Sequence, residues 1–294
     1  MKKVSSGRGA SGTSLSSPWL DKRSHTVVEP PRHWPRQRPQ ELWRYRDLFL
    51  ILAARDIRVR YRQTVVGVAW VIIQPILTAL IFTVVFGFFV RLPSGGVPYV
   101  LFVLCGLLPW TYFSNSVQRV AASLYVDTRL VSKVYFPRLL IPFASVASVL
   151  IDFCATLIVL FILLFAYRVP LTWHALSLPF LALLLTLAAT GVGLWFSALS
   201  VRYRDARNLL PFMLQAWLYA TPVVYAVSLV PAKWRGIYSL NPSVGIVDEF
   251  RWALLGATTF SVTTAVVTIG GSLIFFASGL AMFLRMQQRF DDSL

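Results

Sequence analysis

The chain reads as an all-α membrane protein with six transmembrane helices and a basic interfacial helix ahead of the first. Three observations carry that reading. Hydrophobic residues fill 56% of the 294 positions and charged residues only 14%, and mean hydropathy is +0.65, outside the range of soluble domains. The apolar residues gather into six runs of about 20 or more, the length a helix needs to cross ~30 Å of hydrocarbon. These runs are continuous, whereas a transmembrane barrel would show alternating segments of about ten residues. The net charge of +16, from 28 Lys and Arg against 12 Asp and Glu, concentrates at the ends of the runs and suits an anionic membrane surface.

Residues 1–40, rich in Ser, Gly, Pro and Arg, contain no apolar stretch that would serve as a secretory signal and read as a disordered basic tail. From Glu41 to Gln63 there is no Pro or Gly, and Trp43, Tyr45, Leu48, Phe49, Leu52 and Ile57 interleave with arginines. At 100° per residue Arg44, Asp47, Arg55, Arg58 and Arg62 form one stripe, while Arg46, Asp56 and Arg60 point elsewhere. Residues 41–64 therefore read as a helix lying along the cytoplasmic surface. A single transmembrane domain, 65–290, follows, with spans at about 65–90, 97–118, 142–167, 175–200, 207–227 and 259–284. The fifth is the shortest, interrupted by Pro211 and Pro222.

An even count of spans puts both termini on one side. That side carries 23 of the Lys and Arg residues, 14 of them within residues 1–64, against five opposite (Arg91, Arg168, Lys233, Arg235 and Arg251), which places both termini in the cytoplasm. Asp152 is the one acidic residue well inside a predicted span and must face the bundle; with no Lys, Arg or His beside it in sequence, it suits structural hydrogen bonding rather than a proton relay. Ala189, Gly193 and Ser197 recur every four positions and allow close packing of the fourth span. Cys105 and Cys154 lie in apolar runs and read as small buried side chains, not as a disulfide or zinc ligands.

Arg60-Tyr61-Arg62-Gln63-Thr64 leads into Gly67, Trp70, Gln74 and Pro75. After the fourth span come Ser197-Ala198-Leu199-Ser200-Val201-Arg202-Tyr203-Arg204-Asp205, then Pro211, Leu214-Gln215 and Thr221-Pro222-Val223-Val224-Tyr225. Leu240-Asn241-Pro242 and Phe250-Arg251 complete the series. Over about residues 41–290 these blocks resemble the permease subunit of ABC-2 family exporters, in the branch that exports lipid-linked polysaccharides such as O-antigen, capsule or teichoic acid.

The resemblance implies a homodimer in the bacterial cytoplasmic (inner) membrane, paired with two copies of a separate ATPase subunit that holds ATP and Mg. In keeping with this, the chain has no G-x-x-x-x-G-K-[ST] phosphate loop; it reads as a transport subunit, not an enzyme, and as binding no cofactor or metal itself. The loop Asp127–Pro142 is similar to the coupling helix that seats on the ATPase, with Arg129, Lys133, Tyr135, Phe136 and Arg138 as its contacts. Arg58, Arg60, Arg62, Arg202 and Arg204 are the candidates for landing the anionic headgroup of the substrate. Because a sugar hydroxyl stripped of water costs several kcal/mol, a polymer needs a lined channel. Trp110, Tyr112, Phe113, Gln215, Trp217, Tyr219 and Tyr225 are its candidate lining, since aromatic rings offer an apolar face and, in Tyr and Trp, a hydrogen-bonding edge.

The family also implies two short re-entrant helices between the fifth and sixth spans, forming an external gate that includes Asn241, Pro242 and Arg251. The residues support the second of these helices: Asn241 suits the cap, Pro242 the first helical position and Gly256 the end. Other readings are an ABC-2 permease for a drug or small lipid, and a membrane-embedded glycosyl- or phosphotransferase; the latter would need positioned acids, bases or a metal site that one Asp does not supply. No nucleic-acid module accompanies the basic stretch.

Overall fold

Lipid offers no partner for a bare N–H or C=O, so an apolar chain in a membrane closes its backbone bonds within each segment. The computed structural model describes residues 45–62, 69–126, 137–203, 205–256 and 261–290, and among these it is helical with no strand. Helix α1 is Arg46–Arg62, α2 is Ala69–Phe82, continued by a π-helical turn at Thr83–Phe89, α3 is Tyr99–Val126 and α4 is Leu140–Ala166. After a 3₁₀ turn at Trp173–Ser177 come α5 (Leu178–Arg202), α6 (Asp205–Tyr219), α7 (Ala232–Ser239), α8 (Pro242–Leu255) and α9 (Val262–Phe290). The tail at 1–40 and the loop residues 127–136 lie outside the described residues.

Five helical stretches are long and apolar enough to cross a membrane: 69–89, 99–124, 140–166, 173–202 and 262–286. The fifth expected span is different. Its helix, α6, has 15 residues, which at 1.5 Å each is about 22 Å, and the chain then turns through Thr221–Tyr225, where Pro222 cannot continue the ladder. Helix and turn together still bring the chain to the opposite end of the bundle, because the Tyr99 hydroxyl at the start of α3 donates to Val224 O at 2.5 Å.

The core sits around α3, which packs against α2, α4, α5 and α8. Gly193 of α5 meets Val117 and Val120 of α3, and on the other side of α5 Gly191 meets the backbone of Phe275 and Gly279 in α9. Helix α8 reaches into the bundle, with Phe250 edge-on to Phe153 of α4 at 6.1 Å between centroids. Its ends are those the residues specify. The Asn241 side chain accepts from Ser243 N at 3.1 Å, Pro242 opens the helix, and Gly256 closes it at φ 61° in the left-handed region.

Helix α1 does not lie flat across the end of the bundle. Leu52 and Ala53 bury against Leu140, Ile141 and Ala144 of α4, and Ser145 donates to Asp56 at 3.5 Å. Further along, Arg60 pairs with Asp152, so α1 runs lengthwise along α4 in the same direction. Leu50, Ile51 and Val59 remain exposed.

Candidate functional site

Arg60, Asp56 and Arg46 fall off the charged stripe of α1, and Arg60 and Asp56 are the ones turned to the bundle. Arg60 forms an ion pair with Asp152, and the Tyr61 hydroxyl donates to the same carboxylate. Side-chain exposure is 19% for Arg60 and 15% for Asp152, so the pair works in a medium far less screening than water. One turn earlier Arg55 pairs with Asp56 at 2.8 Å. Asp152 is thus a hydrogen-bonding carboxylate facing the bundle, as its position in the span requires, and its cation comes from 92 residues upstream rather than from a neighbouring span.

These groups line a cavity of about 610 Å³ enclosed by α1, α2, α3 and α4, with Trp70, Gln74, Tyr112 and Arg119 in its wall. A second cavity of about 610 Å³, toward α5 and α6, shares Arg60, Gln118 and Arg119 with the first and adds Arg55, Asp56 and Arg207. Arg119 has no carboxylate partner among the described residues. The first cavity therefore holds two guanidiniums against one carboxylate. Burial, and after it the neighbouring Arg119 charge, lowers the pKa of Arg60 from its ordinary value; a guanidinium remains charged regardless. Paired planar forks with a surplus positive charge are suited to phosphate oxygens.

Of the five arginines expected to land a headgroup, Arg60 lines both cavities. Arg58 is exposed, and Arg202 is exposed with its guanidinium 5.3 Å from the Tyr203 ring. Arg204 and the Arg62 side chain lie outside the described residues. So do Arg129, Lys133, Tyr135 and Phe136 of the expected coupling loop; Arg138 sits half-buried in the turn ahead of α4. Arg119 and Arg207 are the cations that sequence reasoning missed, having counted them only as topology charges. The signal available was their position, within a turn or two of span ends that also carry Gln118 or Ser200.

Among the expected channel residues, Trp110 and Phe113 are buried and stack on each other at 5.7 Å, with Phe113 edge-on to Trp217 at 5.2 Å. Tyr112 is buried too, hydrogen-bonded to Thr186 at 2.8 Å, and borders the first cavity. Gln215 is exposed and donates to Tyr219, which is 66% exposed. Tyr225 shares a 2.8 Å hydrogen bond with Tyr238, and Trp217 donates to Asn241 at 3.1 Å. Of the expected gate residues, Asn241 and Pro242 open α8 as described, and Arg251 is fully buried. It donates to Pro222 O and Val223 O at 2.6 Å, Tyr225 O at 3.2 Å and Phe102 O at 3.3 Å.

Residues 47–255 match the family described as ABC-2 type transporter. The O-antigen export system permease protein RfbA of Klebsiella pneumoniae is 28% identical over 250 residues, covering 84% of this chain and 95% of that protein. The protein of the same name from Myxococcus xanthus is 31% identical, covering 72% of this chain and 82% of its own length. The polysialic acid transport protein KpsM of Escherichia coli is 22% identical over 69% of this chain and 80% of its own.

Proposed function

The chain belongs to the ABC-2 type transporter family, and from that premise we propose that it is the membrane subunit of an exporter that carries a lipid-linked polysaccharide across the bacterial inner membrane, driven by a separate ATPase subunit. The names of its relatives support a polysaccharide substrate. The observation that carries the reading to a site is the pair of cavities sharing Arg60, Gln118 and Arg119. A lipid-linked sugar has an apolar tail that stays in the membrane and an anionic phosphate junction that does not. Two guanidiniums at the α1 end of the bundle lower the cost of bringing that junction out of the headgroup layer, and Trp70 and Tyr112 present ring faces for the first sugars.

In this reading the subunit works as a homodimer, ATP and Mg reside on the partner, and the 127–142 loop transmits the stroke. At the far end, exposed Tyr219 and the Tyr225–Tyr238 pair give the emerging polymer hydrogen-bonding edges without a fixed charge.

The test replaces Arg60 and Arg119 together by Gln and measures surface polysaccharide and membrane-inserted protein. Export should be lost with insertion intact, while Arg58→Gln, whose side chain is exposed, should export normally. Normal export by the double variant would remove the headgroup assignment.

A further inference from the structure

Asp152 is the one carboxylate lining a cavity that holds two guanidiniums, and it engages Arg60 from the position a bound anion would take. A carboxylate and a phosphate present the same feature to an arginine fork, a pair of oxygens that accept parallel N–H bonds. We infer that Asp152 is a displaceable counter-ion: the phosphate or diphosphate monoester of a long-chain alcohol takes Arg60 and Arg119 together, and Asp152 yields Arg60 to it, keeping the Tyr61 hydroxyl. The inference rests on the headgroup reading above and adds the group that holds the site closed when it is empty.

Three features support the exchange. A partly buried ion pair sits near break-even between Coulomb gain and desolvation, so trading one anion for another costs little. A diphosphate carries more charge than a carboxylate and meets two cations, where Asp152 meets one. Tyr61 gives the displaced carboxylate a remaining donor, so it is not left bare. The exchange also has a mechanical consequence. Arg60 lies in the last turn of α1, and its bond to Asp152 fastens that turn to the middle of α4, beyond the apolar contact at Leu52 and Ala53. Arrival of the anion unfastens the end of α1 that leads toward α2.

The full chain in nanodiscs, titrated with farnesyl diphosphate, tests this, with farnesol and inorganic pyrophosphate as separate arms. Asp152→Asn should bind farnesyl diphosphate about fivefold or more tightly than the unaltered chain, because the competing charge is gone, yet fail to export in cells. Asp152→Glu should behave like the unaltered chain in both. Should Asp152→Asn not yield folded protein, Tyr61→Phe decides: it should weaken binding several-fold by removing the donor that holds the displaced carboxylate, whereas a purely structural Asp152 would leave affinity unchanged. Unchanged or weaker binding in Asp152→Asn, or unchanged binding in Tyr61→Phe, overturns the counter-ion role. Pyrophosphate binding as tightly as farnesyl diphosphate overturns the lipid ester as ligand. Undiminished binding in the Arg60→Gln, Arg119→Gln variant overturns the headgroup reading itself, a result separate from the others.

Discussion

Arg251 brings a full charge into the protein interior and spreads it over the carbonyls of Phe102, Pro222, Val223 and Tyr225, with its guanidinium carbon 3.7 Å from the Phe102 ring centroid. A planar fork with five donors can tie α8 to α3 and to the turn after α6 at once, which a Lys ammonium cannot. Arg251→Ala would strip the Arg251 donor from the buried turn carbonyls of Pro222 and Val223, and a loss of about 3–5 kcal/mol is expected, with no rescue by Arg251→Lys. Gly106→Ala should cost roughly 1–3 kcal/mol at the same place, since a Cβ there would lie 2.7 Å from the Arg251 guanidinium and 2.6 Å from Val223 O. Thermal unfolding in detergent checks both; an unshifted midpoint in Arg251→Ala would remove the clamp. The sequence marks Arg251 as unusual, a lone cation among Phe250, Trp252, Ala253 and Leu254. Its acceptors stood 149 and 26–29 residues away, beyond the reach of any local pattern. The same holds for Arg60 and Asp152, each visible singly and paired only by the fold.

Helix α5 shows what a membrane helix conceals. The Ala189, Gly193 and Ser197 stripe is legible as a close-packing face, and Gly193 does meet Val120 of α3. Gly191 lies two residues away, about 200° around the helix, and serves the opposite face, where the α5 and α9 backbones touch at Gly191 and Gly279. In water a polar side would have betrayed which faces are covered; α5 is apolar all round, so periodicity is silent and small residues are the remaining sign. The caps of α8 were legible because Asn, Pro and left-handed Gly act locally. The lengthwise seat of α1 was not, since its stripe of exposed arginines is stronger than the short Leu52–Ala53 patch that fixes it. A methyl group at Gly191 or Gly279 would overlap the facing backbone, whereas one at Gly270 would meet nothing within 4 Å. Gly191→Ala and Gly279→Ala should therefore each destabilise by about 1–3 kcal/mol or more. Gly270→Ala should be neutral or stabilise by up to about 1 kcal/mol through the helix entropy it saves. Equal melting temperatures for all three would show that the α5–α9 crossing is not close-packed.

At the scale of the whole molecule the two ends of the bundle differ in kind. One end holds α1, the start of α4 and the end of α5 with Arg202; the other holds Arg91, Arg168, α7 and the cap of α8. Arg91 and Arg168 both sit at positive φ, each ending a span where the chain must reverse. Because α6 and its turn deliver the chain to Tyr99 at the second end, six crossings with α1 and the end of α9 on one side are the expectation, despite the shortness of α6. Among the described residues Arg46, Arg58, Arg119, Arg138, Arg202 and Arg207 lie toward that first end, so it should face the cytoplasm. Cys105 is buried, whereas Cys154, expected from the sequence to be buried, is exposed on α4, so labelling with a membrane-impermeant maleimide is read in a Cys154→Ser background. Gly236→Cys in α7 and Leu171→Cys between α4 and α5 should label in intact cells, both positions being exposed. Asp47→Cys on α1 and Arg202→Cys at the end of α5 should label only after permeabilisation. The opposite pattern would invert the protein in the membrane, set the guanidiniums of Arg60 and Arg119 facing outward, and leave an anionic headgroup made in the cytoplasm with no cation to meet it.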